Sequence, residues 1–149
     1  MSIVVRVANW QEPDQREALY GIRHKVFVIE QSVPVEEEID AFDDTSVHFI
    51  AETEDGIPVG CARLLPCGQI GRMAVLQQWR VNGIGRLLIN AAMQEAMRQG
   101  LEEVILHAQL QAQEFYQRNG FTAYGEDFLD ANIPHVCMRR DLIKDPLTQ

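Results

Sequence analysis

The residues best suited to chemistry stand in one short stretch, Arg80-Val81-Asn82-Gly83-Ile84-Gly85-Arg86. Two glycines one residue apart let the backbone come close to a ligand, and a helix with an apolar stripe begins at once after them. The first turn of a helix has N–H groups with no partner in the chain, and the dipole adds about half a positive charge there. With Arg80 and Arg86 on either side, the stretch suits a phosphate or diphosphate. A dinucleotide fingerprint would need a third glycine where Leu88 stands. A triphosphate-binding loop would end in Gly-Lys-Ser/Thr, where this chain has Gly85-Arg86-Leu87.

A second block, Gln109-Leu110-Gln111-Ala112-Gln113-Glu114-Phe115-Tyr116-Gln117-Arg118-Asn119-Gly120-Phe121, follows one helix and one strand later. Together the two blocks resemble the GNAT superfamily of N-acetyltransferases. The first matches its coenzyme A pyrophosphate loop, Arg/Gln-x-x-Gly-x-Gly/Ala, and the second its Asn-x-x-Ala-x-x-Phe/Leu-Tyr-x-x-x-Gly-Phe pattern, with Gln109 where most members have Asn. Further similarity at Phe27 to Gln31, Ile70 to Val75, His107 to Gln109 and Ile133 to His135 makes the chain resemble the ElaA-like branch of small bacterial acetyltransferases.

The resemblance implies an α/β fold: a mixed, mostly antiparallel sheet splayed between two central parallel strands, with flanking helices. It also implies acetyl-CoA as cosubstrate. Backbone groups of Met73, Ala74 and Val75 would pair with pantetheine, and Arg80, Val81, Asn82, Gly83, Ile84, Gly85 and Arg86 would hold the pyrophosphate. Gln109, Phe115 and Tyr116 would line the thiol end.

Acetyl transfer to an amine needs a neutral nucleophile, a stabilised oxyanion and a protonated leaving thiolate. A backbone N–H near Val75 is the natural oxyanion donor, and Tyr116 is the expected general acid toward the CoA thiolate. A phenol of pKa ~10 donates to a thiolate whose conjugate acid lies near ~8.5 only in a concerted or tuned site. For the base, Glu30 is the expectation, with Glu38, His107, Glu126, His135 or a water chain as alternatives. Glu30, Glu38 and His135 are the expected acceptor-site residues. The acceptor itself is the primary amine of a small molecule or peptide. The rival reading is a noncatalytic acyl-CoA-binding module, and transfer to a hydroxyl is a third.

Composition sets the outer bounds. A chain of 149 residues with 46% hydrophobic and 23% charged residues is expected to form a single domain, with its core at about residues 3–142. No apolar run reaches the ~20 residues of a membrane span and no basic leader opens the chain, so a cytoplasmic location without membrane contact is expected. A net charge of −9 argues against nucleic acid. Cys61, Cys67 and Cys137 are read as free thiols, His24 and His48 as structural or surface residues, and no His/Cys/Asp spacing suggests a metal. A homodimer is plausible only by analogy.

Between Lys25 and Arg63 there is no Lys or Arg, while Glu30, Glu36, Glu37, Glu38, Asp40, Asp43, Asp44, Glu52, Glu54 and Asp55 all fall there. This run predicts an acidic loop over Glu30–Thr45 that attracts a cationic amine, or else one that only aids solubility.

The elements that must position these groups follow from periodicity. Strands are expected at Ile3–Val7, Val47–Glu54, Ile57–Leu65, Gln69–Val75, Val104–Leu106, Phe121–Phe128 and His135–Leu142. Helices are expected at Gln15–Val28, with Leu19, Ile22, Val26 and Ile29 on its apolar side, at Gly83–Gln99 and at Ala112–Asn119. The helix at Gly83 should bury Ile84, Leu87, Leu88, Ala91, Ala92 and Ala96. The strand at Val104 should lie parallel to the one ending at Val75, and a loop with Asn132 and Pro134 should join the last two strands.

Overall fold

The computed structural model describes residues 2–142. Alternating and β-branched runs form strands at Ile3–Ala8 (β1), Val47–Thr53 (β2), Pro58–Leu64 (β3) and Gln69–Val75 (β4), which pair antiparallel in that order. The helix Ile84–Arg98 (α3) crosses over to Glu103–Gln109 (β5), which lies parallel to β4. The hairpin Thr122–Asp130 (β6) and Ile133–Asp141 (β7) completes one sheet of order β1-β2-β3-β4-β5-β7-β6. One face packs on α3 through Phe49, Ala62, Leu64, Leu88, Ile89, Ala92 and Val104. The other packs on Pro13–Arg23 (α1) through Ile50, Cys61, Ala74, Leu19 and Ile22.

Between β4 and β5 the sheet opens. They pair only at Gln69↔Ile105 and Ile70↔Leu106, with one more bond from the Ile105 N–H to the Gly68 carbonyl at 3.1 Å. The cause lies in β4. Cys61 faces Ala74 and Arg63 faces Gly71, so β4 carries three steps against two of β3. The extra residue is a bulge, and Arg72 within it adopts φ 47, a left-handed conformation uncommon outside glycine. A bulge bends its strand, and here it turns the second half of β4 away from β5.

Three local expectations are corrected. The first helix ends as an α-helix at Arg23 and continues over His24–Glu30 as a π-helix with i→i+5 bonding, such as Gln31 N–H to Val26 O at 3.1 Å. The changed pitch rotates Ile29 off the apolar stripe, leaving it 67% exposed. On α3 the stripe runs through Ile84, Leu88, Ile89, Ala92, Met93 and Ala96, so Leu87 is 41% exposed instead of buried. Pro134 stands in β7 instead of a loop, because β5 reaches only as far as His135 and demands no N–H from it. The β6–β7 turn is Ala131-Asn132, with φ 52 and 63, as a tight two-residue hairpin requires.

Candidate active site

The opening between β4 and β5 is the floor of a cleft of about 1590 Å³. At one end the chain leaves β4 through a 3-10 turn, Gln77–Trp79, and enters α3. Val81 is held at φ 64 and Gly83 at φ 75, and the Asn82 amide bonds the Trp79 and Arg80 carbonyls at 3.0 and 3.2 Å. A β-branched residue in this conformation is an outlier, and such strain gathers at ligand loops. No side chain caps the helix, so its first N–H groups are left to solvent or a ligand. Gly85 has a steric reason: a Cβ there would lie 3.1 Å from Phe115 Cζ, on Gln113–Arg118 (α4). Phe115 thus closes over the start of α3, beside the Met73 side chain.

Arg86 lines this end, among the described residues without an ion-pair partner. Arg80 is engaged elsewhere. Its Nη1 and Nη2 donate to the two Glu30 oxygens at 2.7 Å each, and its Nε to the Val75 carbonyl at 3.0 Å. The hydrogen bond from Arg80 holds the Glu30 carboxyl below the usual carboxylate range. A carboxylate gripped by a guanidinium is a poorer proton acceptor, which weighs against the expected role of Glu30 as base.

In the middle of the cleft stand Met73, Ala74 and Val75 from β4, Gln109 from β5, and Phe115 and Tyr116 from α4. Gln109 donates to Gln31 at 2.8 Å and accepts from Gln111 at 2.9 Å. Tyr116 packs against Phe115 and Phe121, with ring centroids 5.1 and 6.0 Å away. Burial pushes its phenol up to about 12, with no charged neighbour or hydrogen bond contributing. Among the described residues the hydroxyl has no partner, and the side chain lines the cleft.

The far wall comes from Val35–Glu38 (α2) and the 3-10 turn Ala41–Asp44. Its acids are not free. Arg23 bonds Glu38 and both Asp43 oxygens, the latter at 2.9 and 3.1 Å. Arg63 bonds Asp40 at 2.7 and 2.8 Å and Asp43 at 2.8 Å. Arg72, from the bulge, donates to the Glu38 carbonyl at 2.9 Å and to Asp40 at 3.1 Å. Burial raises the Asp40 and Asp43 carboxyls, but the arginines outweigh it and hold both below the carboxylate range. Glu38 and Asp43 are thus engaged by arginines, Glu38 while lining the cleft as expected, and this pairing offsets much of the negative charge expected to attract a cationic acceptor. His48 is buried, stacked on Trp10, and meets the Asp43 carbonyl at 2.9 Å.

The arginine side of this network was missed in the sequence, although a signal existed. Leu19, Ile22, Arg23 and Val26 follow i, i+3, i+4, i+7, which puts Arg23 on the buried stripe. Arg63 likewise sits within an apolar strand, and a buried guanidinium requires acids. His135 joins the cleft from β7, while Glu126 lies outside its lining. Among the described residues no group of His, Cys, Asp and Glu is placed to hold a metal, and no helix is long and apolar enough to cross a membrane.

Known proteins share this architecture. Residues 12–142 match the acetyltransferase (GNAT) domain family. The Bacillus subtilis protein named uncharacterized N-acetyltransferase YjcF is 38% identical over 134 residues, 87% of this chain and 94% of that protein. An acyl-CoA N-acyltransferase from Pseudomonas aeruginosa superposes with a TM-score of 0.83 at 33% identity, covering 93% of this chain and 99% of the other. Escherichia coli ElaA gives 0.82 at 29% identity, with the same coverage of 93% and 99%. A strand opened by a bulge, an uncapped helix start facing the gap and these likenesses converge: the chain belongs to the GNAT family of acetyltransferases.

Proposed function

We propose that the protein transfers an acetyl group directly from acetyl-CoA to the primary amine of a small molecule or peptide, with Tyr116 as general acid. The observation that carries this reading is Tyr116: half-buried, its hydroxyl without a hydrogen-bond partner among the described residues, and its side chain lining the same cleft as the β4 residues Met73, Ala74 and Val75. The diphosphate would rest on the first N–H groups of α3, with Arg86 beside it, and pantetheine would pair with β4 as an added strand. A backbone N–H near Val75 would receive the oxyanion.

A phenol pushed up to about 12 stays protonated throughout the physiological range. It gives its proton only as the C–S bond breaks and charge gathers on sulfur, because transfer to a finished thiolate of conjugate-acid pKa ~8.5 runs uphill.

Tyr116→Phe tests the reading. Coenzyme A release with an amine panel should fall ~10²-fold or more, the scale of a lost general acid, while acetyl-CoA affinity by calorimetry stays within threefold. Full turnover in the variant removes Tyr116 from the chemistry. A wild-type protein that binds acetyl-CoA yet acetylates no amine is a binding module.

A further inference from the structure

With Glu30 held by Arg80 and Glu38 by Arg23, the proton acceptor for the incoming amine must be sought elsewhere in the cleft. β5 and β7 pair as Gln109↔His135 and His107↔Cys137, so these four side chains share one face of the sheet. The opposite face carries the core residues Leu106, Ala108, Val136 and Met138. His135 thus stands directly across from Gln109, at the middle of the cleft.

The two imidazoles differ in how they are held. His107 is exposed and has no hydrogen bond among the described residues to orient it. His135 is only 8% exposed, and its Nδ1 lies 2.6 Å from the Ile133 carbonyl oxygen. A carbonyl only accepts, so Nδ1 must carry the proton, and in the neutral ring the lone pair sits on Nε2. Phe128, paired with His135 across β6 and β7, stacks on that ring at 5.7 Å and 25°, and its ring also meets His107 at 5.2 Å. The ring is thereby fixed in plane and tautomer, while Nε2 has no partner among the described residues and the side chain lines the cleft.

We propose that His135 Nε2 is the general base that activates the acceptor amine, an assignment that rests on the acetyltransferase reading above. The acceptor ammonium gives one proton to Nε2, forming imidazolium. The freed nitrogen pair then makes the C–N bond to the thioester carbon as the carbonyl π pair moves to oxygen. That pair returns and breaks the C–S bond; the nitrogen sheds its second proton to water, and sulfur takes a proton from Tyr116, which is restored from solvent. The balance is ammonium plus acetyl-CoA to amide, free coenzyme A and one proton. By strand register the neighbouring titratable groups are His107 on β5, Cys137 on β7 and Tyr124 and Asp130 on β6; His107 meets the Phe128 ring edge-on, where His135 stacks on its face.

His135→Asn keeps a donor at the Nδ1 position and deletes Nε2, so it separates holding the β6–β7 hairpin from taking a proton. With the base assignment, kcat/KM for the amine falls at least ~100-fold, the acid-side limb of its pH profile disappears and KM for acetyl-CoA stays within twofold. Added imidazole partly restores a His135→Ala variant. An Asn variant that keeps more than about a fifth of the activity, with its acid limb intact, overturns the assignment. Should the variants not fold, nitrogen-15 NMR of the wild-type imidazole decides: an Nδ1–H tautomer supports the base, an Nε2–H tautomer overturns it. Failure of the wild type to acetylate any amine while binding acetyl-CoA would instead sink the enzyme reading itself, and the base with it.

Discussion

The two ends of the cleft are built on opposite principles. The end proposed to take the diphosphate, hereafter the phosphate end, is one unbroken run, Val75 to Arg86, whose shape comes from its own backbone: left-handed Val81 and Gly83, an asparagine amide folded onto neighbouring carbonyls, and an uncapped helix. The opposite end, proposed to face the acceptor and hereafter the acceptor end, is assembled from α1, α2, a 3-10 turn, β3 and β4 by six charged side chains, Arg23, Glu38, Asp40, Asp43, Arg63 and Arg72. The first end needs few distant partners, whereas the second exists only when distant parts of the chain have met. Local construction suits a feature bound to an unvarying ligand such as a diphosphate. Construction from afar gives a wall whose position depends on several elements at once.

The largest effect should therefore come from the acceptor end. Asp43 accepts from both Arg23 and Arg63, and its carbonyl meets His48. Asp43→Asn leaves two buried guanidinium groups short of an anion, and breaking a buried pair in this way costs about 3–5 kcal/mol. Urea unfolding should show that loss, with acetyl-CoA affinity of the folded fraction unchanged. A loss below ~1 kcal/mol would mean that the network does not hold the wall, since that is the scale of exposed pairs.

The same contrast explains what was legible in the sequence. The central helix, the meander of strands and the parallel β4–β5 pair follow from periodicity and turn residues, which act over a few positions. The glycine spacing marked the turn into the central helix for the same reason. Arg72 was opaque because a bulge is a mismatch between two strands and is written in neither alone. The acids at 38, 40 and 43 read as a charged surface run because their arginine partners arrive from 15 to 34 residues away. Ile29 was misplaced by a change of helical pitch, and nothing in the spacing of apolar residues announces that change.

At the phosphate end the expected effect is smaller and falls on binding. Gly85→Val would drive a branched side chain into Phe115, whose Cζ lies 3.1 Å from the position of a Cβ. The ring must move out over the start of α3, so acetyl-CoA affinity measured by calorimetry should drop about tenfold or more, or ~1.4 kcal/mol. The melting temperature should shift by only a few degrees. Unchanged affinity would show that the ligand does not pass between Gly85 and Phe115.

The smallest effect is expected where the two ends touch. Glu30 closes the π-helix and clamps Arg80, whose Nε holds the Val75 carbonyl, so one ion pair ties the helix before the acceptor wall to the last residue of the opened strand. Both partners are more than a third exposed or nearly so, with side-chain exposures of 34% and 38%, and exposed pairs contribute only about 0.2–1 kcal/mol. Glu30→Gln should leave kcat within about threefold. Its trace should appear as a severalfold change in KM for acetyl-CoA, because the released Arg80 is free to move. A general base would behave otherwise: its loss lowers kcat by ~10²–10⁴. A fall of that size in Glu30→Gln, with KM for acetyl-CoA unmoved, would return the proton-accepting role to Glu30 and take it from His135. Steady-state kinetics on this one variant therefore weighs the ion pair as a positioning contact against the same carboxylate as chemistry.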